Sequence, residues 1–173
     1  EHTSRGLGDV YKRQAESYPK IGAKEAYIDA FTMWLVRDPE DLDVVVLPNM
    51  FGDIATDLAS VLQGGMGMAA SANLGDKHMM FEPVHGSSPK HAGKNRVNPI
   101  AMLSSLQLML ENLSLRHDDP LLDKYGNILQ QSISQHLSSD GPKTYDIGGT
   151  GTTSEVGDAI ADRVRRLLRN DKA

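Results

Sequence analysis

Apolar and polar positions along this chain alternate with changing period, and each period predicts an element. Residues 43–47 (DVVVL) form a short β-branched run that predicts a buried strand. Residues 25–29 predict a second, shorter strand, and residues 30–37 a helix that stops before Asp38-Pro39. A further helix is expected from about Gly52, with Ile54, Leu58 and Val61 as its core stripe, Ala55 and Leu62 alongside, and Gly64-Gly65 as its end. Residues 66–99 then read as loop, interrupted only by a strand at residues 79–81. So long a loop inside a compact domain usually carries function.

The second half reads as helical. Asn98 is a cap residue and Pro99 suits the first helical position. Ile100, Leu103, Leu106 or Gln107, Leu110 and Leu113 carry the helical period, so this helix is expected to reach about Leu113. Residues 122–137 predict another helix. A glycine-rich loop, GGTGTT at residues 148–153, precedes the last one. Thr152 and Glu155 have capping-box spacing, and Val156, Ile160, Val164 and Leu168 form the inward stripe. Arg165, Arg166 and Arg169 suit the helix C-terminus. Strands mixed with long helices favour α/β layers. In that arrangement Asp53 and Asp57 lie just past the C-terminal end of a strand, where such folds bind ligands.

Composition narrows the function classes. The 173 residues are 39% apolar and 24% charged, as in a folded globular protein, with a net charge of -5. No basic excess is available for a nucleic-acid backbone, and no apolar run is long enough to span a membrane. There is no cysteine, which excludes disulfides and thiolate chemistry and fits a reducing, cytoplasmic setting. The chain opens on polar sequence without Met (EHTSRGLGDVYKRQ), has no signal-peptide core, and reads as a fragment.

Three stretches carry candidate chemistry. Asp53 and Asp57 are four apart on one helix face, a spacing at which two hard oxygen ligands hold Mg²⁺ or Mn²⁺; two solvated acids are the plain alternative. Asp29, set among apolar and aromatic residues in YIDAF, is either a third ligand or an interface salt-bridge partner. In EPVHGSSPKHAG, Gly86 and Ser87 offer donors, while Lys90, His91 and Arg96 add positive charge. Asn98 offers an amide suited to a base edge, so a phosphorylated nucleotide fits this set; a surface loop is the alternative. GGTGTT resembles an anion nest or a tight turn, without the lysine of a P-loop.

MWLVRDPEDLDVVVLPNMFGDIATDLASVLQGG, SANLGDKHMMFEPVHGSSPKHAGKNRVNP and YDIGG together resemble the metal-dependent β-decarboxylating dehydrogenases, the family of isocitrate, isopropylmalate, homoisocitrate and tartrate/D-malate dehydrogenases. The resemblance covers residues 15–173 as the C-terminal portion of the family's α/β fold, which is not a classical Rossmann fold; residues 1–14 are an unmatched extension. It implies a homodimer with shared sites, in which Asp53 and Asp57 hold the metal and Asp29 reaches the partner's ion. It also implies that His85, Gly86, Ser87, Ser88, Pro89, Lys90, His91, Val97, Asn98 and Tyr145 bind the cofactor. Lys90 and Tyr145 match NADP-using isocitrate dehydrogenases, although IGGTGTT stands where those enzymes have a nearby arginine. NADP is therefore favoured over NAD, and isocitrate over isopropylmalate, tartrate or D-malate. The family's substrate arginines, catalytic tyrosine and catalytic lysine have no counterpart here, so no catalytic residue is assigned and the chain alone is expected to be inactive. A non-catalytic regulatory subunit, or a plain nucleotide-binding module, is the competing class.

Overall fold

This computed structural model describes residues 2–170, with side chains from residue 9 onward. The chain divides into two compact units, the first ending at Ala59 and the second beginning at Ser60. The first contains helix α1 (His2–Glu16), helix α2 (Ile28–Arg37), a 3-10 turn (Pro39–Asp41) and most of helix α3 (Asn49–Leu62). The second contains strands β1 (Ala70–Leu74) and β2 (Met79–Pro83) and helices α4 (Ile100–His117), α5 (Pro120–Leu137) and α6 (Thr153–Asn170). Two more 3-10 turns lie at Pro89–His91 and Tyr145–Ile147.

In the first unit, Phe31 and Leu35 of α2 pack on Ala55 of α3, with Ile28, Leu42, Leu47 and Leu58 around them. The expected stripe on α3 is therefore shifted. Ala55 is buried, whereas Ile54 and Val61 are exposed, because α3 meets its neighbour through a small residue that allows close approach. The helix also begins earlier than expected, at Asn49. Its end is as expected: Gly65 donates to the Ser60 carbonyl at 2.8 Å, with φ of 105° at Gly64 and 100° at Gly65.

Neither strand expected in this unit forms. Among the described residues the sheet consists of β1 and β2 alone. Residues 43–47 are irregular, with Val44 83% exposed and Val45 and Val46 also exposed. Residues 25–27 lead into α2 without pairing. A β-branched run becomes a strand only when a neighbouring strand takes its N–H and C=O groups, and none does so here.

In the second unit, β1 and β2 form an antiparallel hairpin with Ala72 opposite Phe81. The sequence pattern missed β1, whose ASANL composition has little strand preference. The hairpin turn is held from outside itself. Arg116, in the last turn of α4, donates to the carbonyls of Gly75 (2.7 Å) and Lys77 (3.3 Å). The three long helices enclose the main core of Ile100, Leu129, Ile133, Val156 and Ile160, with Met68, Leu103, Leu137 and Val164 packed against it. Burying each such aliphatic side chain is worth about 1.5–3 kcal/mol. The α4 start and the α6 capping box follow the sequence reading. Asn98 Oδ1 accepts from Ile100 N–H at 3.0 Å. Thr152 N–H donates to Glu155 Oε2 at 2.8 Å, and Glu155 N–H donates back to Thr152 Oγ1 at 3.2 Å. Helix α4 runs on to His117, beyond the expected Leu113.

Candidate functional site

The long loop after β2 is organised around Tyr145. His91, at the end of the 3-10 turn Pro89–His91, stacks on the Tyr145 ring with centroids 5.9 Å apart and planes at 27°. The guanidinium carbon of Arg96 lies 4.2 Å from the centroid of the same ring. His91 Nδ1 is buried without a hydrogen-bond partner. Lys90, the neighbour of His91, is exposed and forms no ion pair among the described residues.

This segment is fixed by hydrogen bonds on both sides of Arg96. Asn95 Oδ1 accepts from the backbone N–H (3.1 Å) and hydroxyl (3.0 Å) of Ser154, at the start of α6. The Asn95 carbonyl accepts from Thr153 N–H at 3.0 Å. The Thr153 hydroxyl donates to the Val97 carbonyl at 2.6 Å. Asn98, only 6% exposed, donates through Nδ2 to Asp146 Oδ2 at 3.0 Å. Its amide is thus taken up internally, by the α4 cap on one side and Asp146 on the other. Gly67 packs against this pair so closely that a Cβ there would come 2.7 Å from Asp146 Oδ2. The structure therefore brings His91, Arg96, Asn98 and Tyr145 together, with Lys90 and Val97 adjoining. Asn95 and Asp146 position the group, and no sequence signal marked them.

His85, Gly86, Ser87, Ser88 and Pro89 lie upstream on the same loop. His85 Nδ1 is 2.9 Å from the Gly86 carbonyl, a hydrogen bond when that nitrogen carries the proton. Ser88 holds a left-handed backbone at φ 45°, which few non-glycine residues adopt, immediately before the 3-10 turn.

The anion-nest reading of residues 148–153 is corrected. Gly149 N–H donates to the Thr144 carbonyl at 2.9 Å and Gly151 N–H to the Lys143 carbonyl at 2.7 Å. Thr152 and Thr153 N–H are also taken, by Glu155 and Asn95. These donors are turned inward and do not converge on a bound anion. Close packing explains Gly149 and Gly151, since a Cβ on Gly149 would lie 2.0 Å from the Lys143 carbonyl oxygen and one on Gly151 3.1 Å from it, while Gly148 holds a left-handed φ of 83°.

Beside this loop lies a buried polar cluster. His136, at the end of α5, is fully buried, and neither ring nitrogen reaches a hydrogen-bond partner; Thr144 Oγ1 and Arg163 Nε are likewise unpartnered. Burial holds the His136 pKa below its ordinary value, and the charges of Arg163 and Lys143 push the same way. The nearby Pro142 carbonyl pulls in the opposite direction without closing a hydrogen bond.

In the first unit, Asp53 and Asp57 are both exposed on α3, one turn apart. Asn49 Nδ2 donates to Asp53 Oδ2 at 3.3 Å. Asp29 is exposed rather than embedded: it sits in the first turn of α2, where its Oδ1 accepts from Ala30 N–H at 2.8 Å. No three His, Cys, Asp or Glu side chains among the described residues converge on one point. The two α3 carboxylates suit a hard divalent cation as a partial ligand set. Because no strand forms at residues 43–47, the expected placement of these acids past a strand end does not hold.

A family model described as isocitrate/isopropylmalate dehydrogenase matches residues 2–160. The chain belongs to the isocitrate/isopropylmalate dehydrogenase family. It is 40% identical to a 3-isopropylmalate dehydrogenase of Methanothermobacter thermautotrophicus over 88% of this chain and 44% of that protein. It is 41% identical to a protein of Bacillus subtilis named "Probable tartrate dehydrogenase/decarboxylase" over 92% of this chain and 44% of that one. The crystal structure of an isocitrate dehydrogenase from Methylococcus capsulatus superposes with a TM-score of 0.82 at 33% identity, over 91% of this chain and 45% of that one. The chain thus spans less than half the length of these family members.

Proposed function

We propose that this chain is the cofactor- and metal-holding portion of an NAD(P)-dependent oxidative decarboxylase of 2-hydroxy di- or tricarboxylic acids, with NADP the preferred cofactor and isocitrate the favoured substrate. Family membership supports the reaction class. The observation that carries the cofactor preference is the Arg96 guanidinium over the Tyr145 ring, with the His91 ring stacked on the same tyrosine and the exposed Lys90 next to His91 in sequence, a set that suits a phosphate and not a bare ribose hydroxyl. Isopropylmalate and tartrate or D-malate are the alternative substrates, because relatives bearing the first two of those names are 40% and 41% identical.

In this reading Asp53 and Asp57 hold Mg²⁺ or Mn²⁺, and Asp29 reaches the ion of a second subunit in a homodimer. A cation held there would supply Lewis-acid polarisation of the substrate's hydroxyl oxygen and stabilisation of negative charge as CO₂ is lost. The chain's own carboxylates fix charge and position and transfer no proton. The loop from His85 to Asn98, with Tyr145, holds the adenosine end of the cofactor and so orients the nicotinamide. The acids and bases that move protons lie outside this chain, which alone turns over nothing. Retention of Asp29, Asp53 and Asp57 argues against a non-catalytic regulatory subunit.

The experiment uses the full-length protein carrying this chain, with saturating Mg²⁺ and each nicotinamide cofactor. Isocitrate, isopropylmalate, D-malate and tartrate are supplied in turn, and cofactor reduction is followed by absorbance. Reduction with at least one acid, at a higher kcat/KM for NADP than for NAD, is expected. Absence of reduction with all four acids overturns the assignment.

A further inference from the structure

We propose that Asp140 is a site of spontaneous isoaspartate formation, its side-chain carboxyl cyclising onto the backbone nitrogen of Gly141 in the turn beside the buried His136. Asp140-Gly141 is the one Asp-Gly pair in the chain, and no asparagine precedes glycine. Glycine after the acid favours ring closure, because no side chain shields its nitrogen and its backbone is free to turn.

Both reacting groups are loosely held. Residues 138–141 follow α5 as an irregular turn, and Asp140 is exposed. Its carboxylate forms no hydrogen bond or ion pair among the described residues. Neither Asp140 nor Gly141 enters a backbone–backbone hydrogen bond among those residues. Gly141 N–H is held by Ser139 Oγ at 3.3 Å, a hydroxyl that also accepts from Arg163 at 2.7 Å and donates to the His136 carbonyl at 2.7 Å. Other aspartates lack this freedom. Asp53 and Asp57 lie within α3, whose hydrogen bonds hold the amides that follow them. Asp38 and Asp119 precede proline, which has no N–H.

The Gly141 nitrogen loses its proton and attacks Asp140 Cγ. A C–N bond forms, a Cγ–O bond breaks, and one water leaves, giving a succinimide. Water then adds to the Asp140 main-chain carbonyl carbon, whose bond to nitrogen breaks, and the main chain now runs through Cβ and Cγ. One water leaves and one enters, with nothing oxidised or reduced. The extra main-chain carbon falls where space is short. A Cβ on Gly141 would already lie 3.2 Å from Ser139 Oγ and 3.4 Å from His136 Cε1. Just beyond, the Lys143 and Thr144 carbonyls hold Gly151 and Gly149 N–H. Modification therefore loosens this loop.

The experiment ages the full-length protein at neutral pH, folded and in urea, for wild type and Asp140→Glu. Isoaspartate is located by peptide mapping after labelling with an isoaspartyl carboxyl methyltransferase and labelled S-adenosylmethionine. Label is expected on the wild-type peptide containing residue 140, at a folded-state rate within about tenfold of the rate in urea, since one weak hydrogen bond restrains the turn. Asp140→Glu should remove it, because the longer side chain closes the ring poorly. Native deuterium exchange of the aged protein, with the isoaspartyl and aspartyl peptides separated afterwards, should show faster uptake at residues 149–151 when the modification is present. A folded-state rate more than about tenfold below that in urea, label that persists in Asp140→Glu, or equal uptake in the two forms overturns the proposal.

Discussion

Replacing Asn98 with alanine removes two strong interactions at once, besides a weak Nδ2 contact to Met68 Sδ at 3.4 Å, and the sizes of the two can be worked from the geometry. Its Oδ1 caps α4 through Ile100 N–H at 3.0 Å; loss of an asparagine cap typically costs about 1 kcal/mol. Its Nδ2 bonds to the Asp146 carboxylate at 3.0 Å, and a hydrogen bond to a charged group is worth about 1.5–3 kcal/mol. Asp146 is exposed and regains water when the amide is gone, so the lower end of that range applies. The expected loss is therefore about 2–3 kcal/mol. Urea unfolding followed by helix circular dichroism measures it as a lowered midpoint with an unchanged slope. Asn98→Ser separates the two terms. Its hydroxyl still caps α4 but is too short to reach Asp146, so it should recover about 1 kcal/mol of the alanine loss. A loss under about 0.5 kcal/mol in Asn98→Ala, the size of an ordinary surface change, refutes the view that Asn98 ties α4 to the Tyr145 turn. So does identical stability of the serine and alanine variants.

Other outcomes follow from the same packing. Ile160 is almost fully buried in the main core, so Ile160→Ala should cost about 2–5 kcal/mol by urea unfolding; a cost under about 1 kcal/mol contradicts the assigned core. The lowered His136 pKa makes the folded state prefer the neutral ring. That contribution is complete above the unfolded value of about 6.5 and is lost as pH falls from there toward the folded pKa. His136→Leu should therefore lose less stability between pH 7.5 and 5 than wild type does, in urea midpoints taken across that range; parallel pH profiles rule the effect out.

Features fixed by neighbours in sequence were legible, and features fixed by distant partners were not. The capping side chains of Asn98 and Thr152, and the Ile100, Val156 and Ile160 positions, depend on helical spacing alone, so α4 and α6 could be read directly. The valines at 44–46 carry strand preference, but a strand also needs a partner, which local sequence does not supply. Strand β1 shows the reverse: Ser71 and Asn73 argue against a strand, yet register with β2 and the Arg116 clamp on the turn make one. At the loop between β2 and α4, residue types gave the positive charges but not their arrangement, because Arg96 and Tyr145 meet only through the fold. The glycines of 148–153 suggested a nest, and only the backbone of Lys143 and Thr144 reveals that its amides are already taken.

The reading of this chain depends above all on a divalent cation held by Asp53 and Asp57. The most direct measurement is the steady-state rate of cofactor reduction by the full-length protein, in chelator and after adding Mn²⁺ back, for wild type, Asp53→Asn and Asp57→Asn. The account predicts no activity in chelator, recovery with Mn²⁺ in wild type only, and a fall of at least about 100-fold in each variant. An undiminished rate in chelator, or either variant working at the wild-type rate, contradicts it.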